Sequence, residues 1–323
     1  MNSNFRFVPA TPKDLTSIIR KREGELKLGE EISIKPLEPE VEFVILGVKE
    51  SIGAQANYGN AGAENGFHAF FQRFVNMQSN RFLSGKNIAF AGTIECNTSF
   101  STIEQAREQV VQLDAIVQAT VLPYFKAKKK VILIGGGHNN AYPLIKALHL
   151  ATSKKIDIIN LDPHCDCRAL EGRHSGNSFS YAIEENLINR YHVLGLHKAY
   201  NSEFLLEFLD ENNCFYSFFE DYLSEKRSLK MDLMELSQNI GQLPLGMELD
   251  LDAIKGMPSS AFTPSGFTLE EARNFICSIA SKSNIHYFHL PEGAPRNENE
   301  ELVVGKSLAM MVWDFIFHQQ RSK

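Results

Sequence analysis

Short runs of unbroken apolar residues, separated by stretches of helical periodicity, constrain this chain more than any other feature. Residues 41–48 are apolar at nearly every position, and 131–134 and 156–161 repeat the pattern. A strand with one wet face alternates in polarity, whereas one covered on both faces does not. Between these runs Ile103, Ala106, Val110, Leu113 and Val117 recur at spacings of three and four, which predicts an amphipathic helix ending near Pro123. Further strands are expected at 88–92, 191–196, 214–218, 244–250 and 285–290. Helices are expected at 14–27, 67–76, 201–212, 225–240, 268–281 and 302–317, with one more running through Leu150. Strands alternating with helices predict an α/β fold, a three-layer α-β-α sandwich around a mostly parallel central sheet. No linker composition or internal repeat divides the 323 residues, so one domain over 1–323 is expected, with 1–40 as a polar, proline-broken wrap.

Composition narrows the partners. With 43% hydrophobic and 22% charged residues the chain is ordinary for a globular protein. A net charge of -6 argues against nucleic acid or an anionic membrane, which reward clustered Lys and Arg. Lys128, Lys129 and Lys130 read as a solvated helix end. There is no run of the roughly 18 apolar residues a bilayer requires, and residues 1–7 lack the apolar core of a signal peptide, so a cytoplasmic location is the default expectation. The five cysteines are odd in number and irregularly spaced, which disfavours a disulfide framework.

Chemistry concentrates where the apolar runs end. Residues 156–161 lead into Asp162-Pro163-His164-Cys165-Asp166, and extended backbone would send Asp162, His164 and Asp166 to one side. Cys165 and Cys167 alternate with them and point away. The run 131–134 leads into Gly135-Gly136-Gly137-His138; its glycines lack the phosphate-loop order and instead permit a sharp turn that presents His138. The run 244–250 ends in Glu248-Leu249-Asp250-Leu251-Asp252. Four carboxylates and two imidazoles at three strand ends suit a pair of divalent ions. Two ions roughly 3.5–4 Å apart generate a hydroxide nucleophile at neutral pH. Residues 51–66, rich in Gly, Ala and Asn, are either part of the lining of this site or a flexible surface loop.

These three motifs resemble those of the ureohydrolase family, which comprises arginase, agmatinase and formimidoylglutamase. The resemblance covers about residues 41–295. It implies two Mn2+ ions, with His138 and Asp166 on one, His164 and Asp252 on the other, and Asp162 and Asp250 bridging. Among the members it is nearest to formimidoylglutamase: Arg168 stands where arginases have Asn, and Phe179 in Ser175-Gly176-Asn177-Ser178-Phe179 stands where they have a proton-shuttling His. An Arg suits a carboxylate-bearing, amino-acid-like substrate and repels a guanidinium. The reaction implied is attack of a metal-bound hydroxide on the formimino carbon of N-formimidoyl-L-glutamate, giving L-glutamate and formamide in histidine degradation. Arg168, Ser175, Asn177 and Phe179 are then the substrate-side candidates, and Asp166, Glu292 and His289 the catalytic ones. Arg168 could instead serve a structural salt bridge, and His174 is either a proton carrier or a loop histidine.

The chain departs from the family pattern at several points. Gly137 replaces Asp, Asn139 replaces Ser, Pro163 replaces Ala and Glu248 replaces Ser. The family's last strand ends in a Glu that contacts the reactive nitrogen. Position along the strand gives that role to His289, whereas the following Pro and the need for an acceptor favour Glu292. Two other readings stay open: a ureohydrolase acting on a guanidino compound, and a non-catalytic assembly subunit. Homo-oligomers are usual in the family, but no stretch of sequence reads as an interface.

Overall fold

The structure is a computed structural model that describes residues 4–321. A nine-stranded sheet runs through it: β1 (Phe5–Pro9), β2 (Phe43–Lys49), β3 (Ile88–Cys96), β4 (Lys130–Ile134), β5 (Ile156–Leu161), β6 (Ile188–Leu196), β7 (Phe215–Phe218), β8 (Leu245–Leu249) and β9 (Ile285–Leu290). Their spatial order is β1-β3-β2-β4-β9-β8-β5-β6-β7. Only β1 is antiparallel to its neighbour.

The unbroken apolar runs cover both faces of this sheet, as their composition requires. Phe43, Ile45, Ile132, Ile134, Ile159 and Leu161 join one core with the helices Gly66–Phe74, Leu269–Ala280 and Glu298–Gln319. The intervening Val44, Leu46, Val131, Leu133 and Ile158 join a second core with Ile103–Lys126, Ala141–Thr152 and Ser178–Glu184. Successive side chains of one strand thus feed opposite layers. The three-layer sandwich expected from the sequence is the architecture found.

Four local readings need correction. Residues 1–40 are more than a wrap, because Phe5–Pro9 extends the sheet beside β3. The helix expected at 14–27 is only Pro12–Thr16. The long helix passes Pro123 and ends at Lys126. Proline removes one amide donor there, but Tyr124 and Phe125 are buried in the core and the Ala127 amide still bonds the Pro123 carbonyl at 3.0 Å. Lys129 is not a solvated helix end: its buried ammonium donates to the carbonyls of Glu38 at 2.7 Å and Val41 at 2.6 Å. That contact ties the N-terminal segment to the start of β2. Lys129→Ala is expected to destabilise the protein by about 1–3 kcal/mol, the usual range for a lost hydrogen bond to a charged group. Urea unfolding of the variant checks this, and an unchanged midpoint would contradict it.

Candidate metal centre

Because β4, β9, β8 and β5 are neighbours and parallel, their C-terminal ends open onto the same edge of the sheet. His138 follows β4, Glu292 follows β9, Asp250 and Asp252 follow β8, and Asp162, His164 and Asp166 follow β5. The three motifs far apart in sequence therefore meet.

The turn that presents His138 is built on glycine. Gly135 and Gly136 have φ of 85° and 72°, a region costly for other residues. A Cβ on Gly136 would also lie 2.6 Å from Glu50 Oε1. Glu50, buried just past β2, accepts from the Gly137 amide at 2.7 Å, from Asn140 Nδ2 at 2.8 Å and from the Gly53 amide at 3.0 Å. It fixes the turn and the start of the 51–66 loop together. Ala54, Asn57, Tyr58 and Gly59 of that loop line the cavity described below, so the loop belongs to the site wall. Nothing in the sequence marked Glu50, which sits alone at a strand end.

His138 Nδ1 lies 2.9 Å from Asp166 Oδ2, 3.0 Å from Asp250 Oδ2 and 3.2 Å from Asp162 Oδ2. Ligand atoms of these four residues all lie within 4.8 Å of one another. His164 and Asp252 stand at the side of this group and outside it. His164 Nδ1 is 3.6 Å from the other oxygen of Asp162, Oδ1, and its ring stacks on Tyr200 with centroids 5.4 Å apart. Asp252 Oδ1 accepts from the Ala261 amide at 3.2 Å. Cys165 and Cys167 are buried in the second core, Cys165 also bordering the cavity described below.

No lysine or arginine pairs with any of these acids among the described residues, and their ionisation shows the strain. Burial, then the charges of Asp252 and Asp162, push Asp250 well above the usual carboxylate range. Burial and then the charge of Asp162 also raise Asp166. Burial opposes ionisation of His138, but Asp162, Asp166, Asp250 and Glu248 outweigh it and hold its proton far above the ordinary histidine range. His164 is likewise raised, to about 10: burial acts downward and Asp162 prevails. A crowded, buried, acid-rich nest that no lysine or arginine among the described residues neutralises is what a divalent metal fits, since it replaces these protons and satisfies the oxygens together.

Above the group is a cavity of about 320 Å3. Asp166, Asp250, Asp252, His164 and Glu292 form its floor, with Arg168, Ser175, Tyr200 and Ser260 also on its walls. Arg168 is exposed there, and its guanidinium has no hydrogen-bond or ion-pair partner among the described residues; no salt bridge employs it. Glu292 has a left-handed φ of 67°, which costs about 1–3 kcal/mol for a non-glycine residue. Its Oε1 accepts from the His138 amide at 2.7 Å, while its buried Oε2 has no partner among the described residues. Burial and the charge of Asp252 raise Glu292 to about 8.

Three of the expected site residues stand behind the cavity wall. His289 lies inside β9, fully buried, with Nδ1 2.6 Å from Glu248 Oε2. Phe179 stacks on Tyr191 at 4.3 Å and sets its edge against the His138 ring at 5.3 Å. Asn177 organises its own loop: Oδ1 accepts from Arg173 at 2.7 Å and from the His174 amide at 3.1 Å, and Nδ2 donates to Gly172 at 2.7 Å. With every polar atom engaged it has nothing to offer a ligand. Arg173, which the sequence did not single out, is held by Asp114 at 2.9 Å between the rings of Tyr142 and Tyr181. His174 accepts the Gly176 amide on Nδ1 at 3.1 Å, and burial followed by Arg107 lowers it to about 4, so it is a neutral loop residue.

The proton affinities carry a sign. His164 is raised above its unfolded value, so the stability it contributes is present below about pH 6.5 and lost as pH climbs toward its folded value. Glu292, an acid raised to about 8, opposes folding increasingly as pH passes from the unfolded carboxylate value to 8. Metal-free protein is therefore expected to lose thermal stability between about pH 7 and 9, and Mn2+ to restore it. Thermal unfolding at several pH values with and without Mn2+ measures this; a metal-free Tm that rises across the window would refute it.

Comparison with known proteins bears on the fold and the family. Formimidoylglutamase of Staphylococcus aureus is 27% identical to this chain over 196 residues, which is 59% of this chain and 58% of the relative, so the match spans less than two thirds of that protein. Among solved structures, Trypanosoma cruzi formiminoglutamase with Mn2+ superposes with a TM-score of 0.73 at 20% identity, over 90% of this chain and 98% of that one. Formimidoylglutamase of Bacillus subtilis gives 0.73 at 16% identity, over 94% and 98%. Proclavaminate amidino hydrolase of Streptomyces clavuligerus gives 0.73 at 16%, over 94% and 99%. At these identities the structural likeness speaks for the fold. The Arginase family profile matches residues 41–317, most of the sequence, and this chain belongs to the arginase family.

Proposed function

We propose that the protein is a dinuclear metal hydrolase of linear amidines that converts N-formimidoyl-L-glutamate and water to L-glutamate and formamide. The observation that carries this reading is the pairing, in one cavity, of an unpartnered guanidinium on Arg168 with a floor of ligand-type carboxylates. Similarity to proteins named formimidoylglutamase supports it. Two Mn2+ ions would supply Lewis acidity and a nucleophile available at neutral pH. His138 and Asp166 would hold one, His164 and Asp252 the other. Asp162, whose Oδ2 faces His138 while Oδ1 faces His164, and Asp250, whose Oδ2 faces His138, would complete the set of residues that hold them.

The remaining residues bind and orient. Arg168 pairs with a substrate carboxylate, and Ser175 beside it donates to the same end. The unpartnered Oε2 of Glu292 accepts an N–H of the amidinium, whose positive charge favours the ionised carboxylate. Water adds to the formimino carbon, the C–N bond to the glutamate nitrogen breaks, and that nitrogen leaves with a proton. Asp166, on the floor of the cavity, is placed to carry that proton.

The protein incubated with Mn2+ and, separately, N-formimidoyl-glutamate, arginine, agmatine and guanidinobutyrate is expected to release glutamate from the first and urea from none. Urea from any of the others overturns the substrate assignment. Asp162→Asn and Asp250→Asn are each expected to bring turnover to background. Arg168→Ala should raise KM by about tenfold or more with a smaller change in kcat, in keeping with ~1.5–3 kcal/mol for a hydrogen bond to a charged group. Steady-state kinetics decides, and an unaltered KM removes Arg168 from its role.

A further inference from the structure

Behind the carboxylate group, on the side away from the cavity, lies a second set of buried polar residues that the reaction above does not use. Strands β8 and β9 run side by side and put Glu248 in register with His289. Glu248 Oε2 accepts from His289 Nδ1 at 2.6 Å, and Oε1 accepts from the Tyr287 hydroxyl at 2.7 Å. All three side chains are 0% exposed. The same Oε2 stands 3.4 Å from His138 Nε2, the ring nitrogen opposite the one facing Asp162, Asp166 and Asp250. Nε2 has no hydrogen-bond partner among the described residues, and Phe179 closes another side of the ring.

An imidazole that offers the Nδ1 lone pair to a cation keeps its hydrogen on Nε2, and a buried N–H needs an acceptor. Glu248 is the carboxylate at that nitrogen. A shift of a few tenths of an ångström brings 3.4 Å into hydrogen-bonding range. We propose that Glu248 is a positioning residue for His138: it accepts the Nε2 hydrogen, fixes the tautomer that presents Nδ1, and places negative charge behind the ligand. Tyr287 and His289 hold the carboxylate in place, which gives His289 a function without contact with the cavity. The proposal rests on the metal reading of His138, Asp162, Asp166 and Asp250.

Carboxylates behind metal-bound histidines are worth about 10–100-fold in metal affinity. Metal-stripped full-length protein titrated with Mn2+ by calorimetry tests this in the wild type, Glu248→Gln and Tyr287→Phe. Glu248→Gln should weaken one of two binding steps by about 10–100-fold, with the other step and the metal-free Tm little changed. Tyr287→Phe, which keeps the carboxylate and its His289 contact, should weaken the same step by less than Glu248→Gln does. Equal affinity in Glu248→Gln beside a wild type that binds Mn2+ overturns this inference alone; a wild type that takes up no Mn2+ overturns the metal reading with it. Should Glu248→Gln not fold, histidine-labelled wild type loaded with diamagnetic Zn2+ decides by NMR. A downfield, exchange-protected Nε2 proton on His138 supports the proposal, and His138 protonated on Nδ1 overturns it.

Discussion

Asp162, Asp166 and Asp250 converge on one nitrogen of His138 in a place almost closed to water, and no lysine or arginine among the described residues pairs with them. Left alone, such a cluster keeps protons it would shed in water, and it can be held together only by surroundings that cannot move apart. The rest of the structure meets that need. Four parallel strands fix the origins of the loops. Glu50 clamps the glycine turn, and Arg173, between two tyrosine rings and anchored by Asp114, pins the loop after Asp166. Glu50 and Arg173 are both buried and each makes several hydrogen bonds, and a buried polar network of this kind favours one geometry for the segments it ties.

The layers and most strands were legible because a strand covered on both faces writes a largely apolar run, as β2, β3 and β4 do. Phe5–Pro9 does not. It lies at an edge, with Phe5 buried and Arg6 and Pro9 exposed, and its register is imposed by β3 and not by its own composition. The convergence of His138, Asp162, Asp166 and Asp250 was legible for a related reason. A strand end plus a spacing of two says which side chains share a side, and that information is local.

The walls of the cavity were less legible, because they depend on directions taken after a strand stops. Asn177 and Phe179 were expected to face a substrate on the strength of their place in a motif; the loop turns both inward, one to its own backbone and one to Tyr191. The choice between His289 and Glu292 turned on the same point. Leu290 ends β9, and Glu292 then adopts a left-handed conformation that returns its carboxylate to the cavity. Composition does not announce a left-handed glutamate. Nor did it reveal that His289 faces Glu248 across two strands separated by some forty residues, since cross-strand register is a property of the assembled sheet.

The position of β9 has a consequence for how the chain assembles. Residues 285–290 come late in the sequence yet occupy the middle of the sheet, between β4 and β8. Without β9 the order leaves β1-β3-β2-β4 and β8-β5-β6-β7 unjoined, with β4 and β8 each lacking a neighbour, and the residues of the candidate metal centre divided between them. Open edges invite foreign strands, and closing contacts between distant parts of a chain is slow. A ribosome-bound or truncated chain lacking β9 is thus exposed to aggregation at the two edges that, in the finished protein, flank its chemistry.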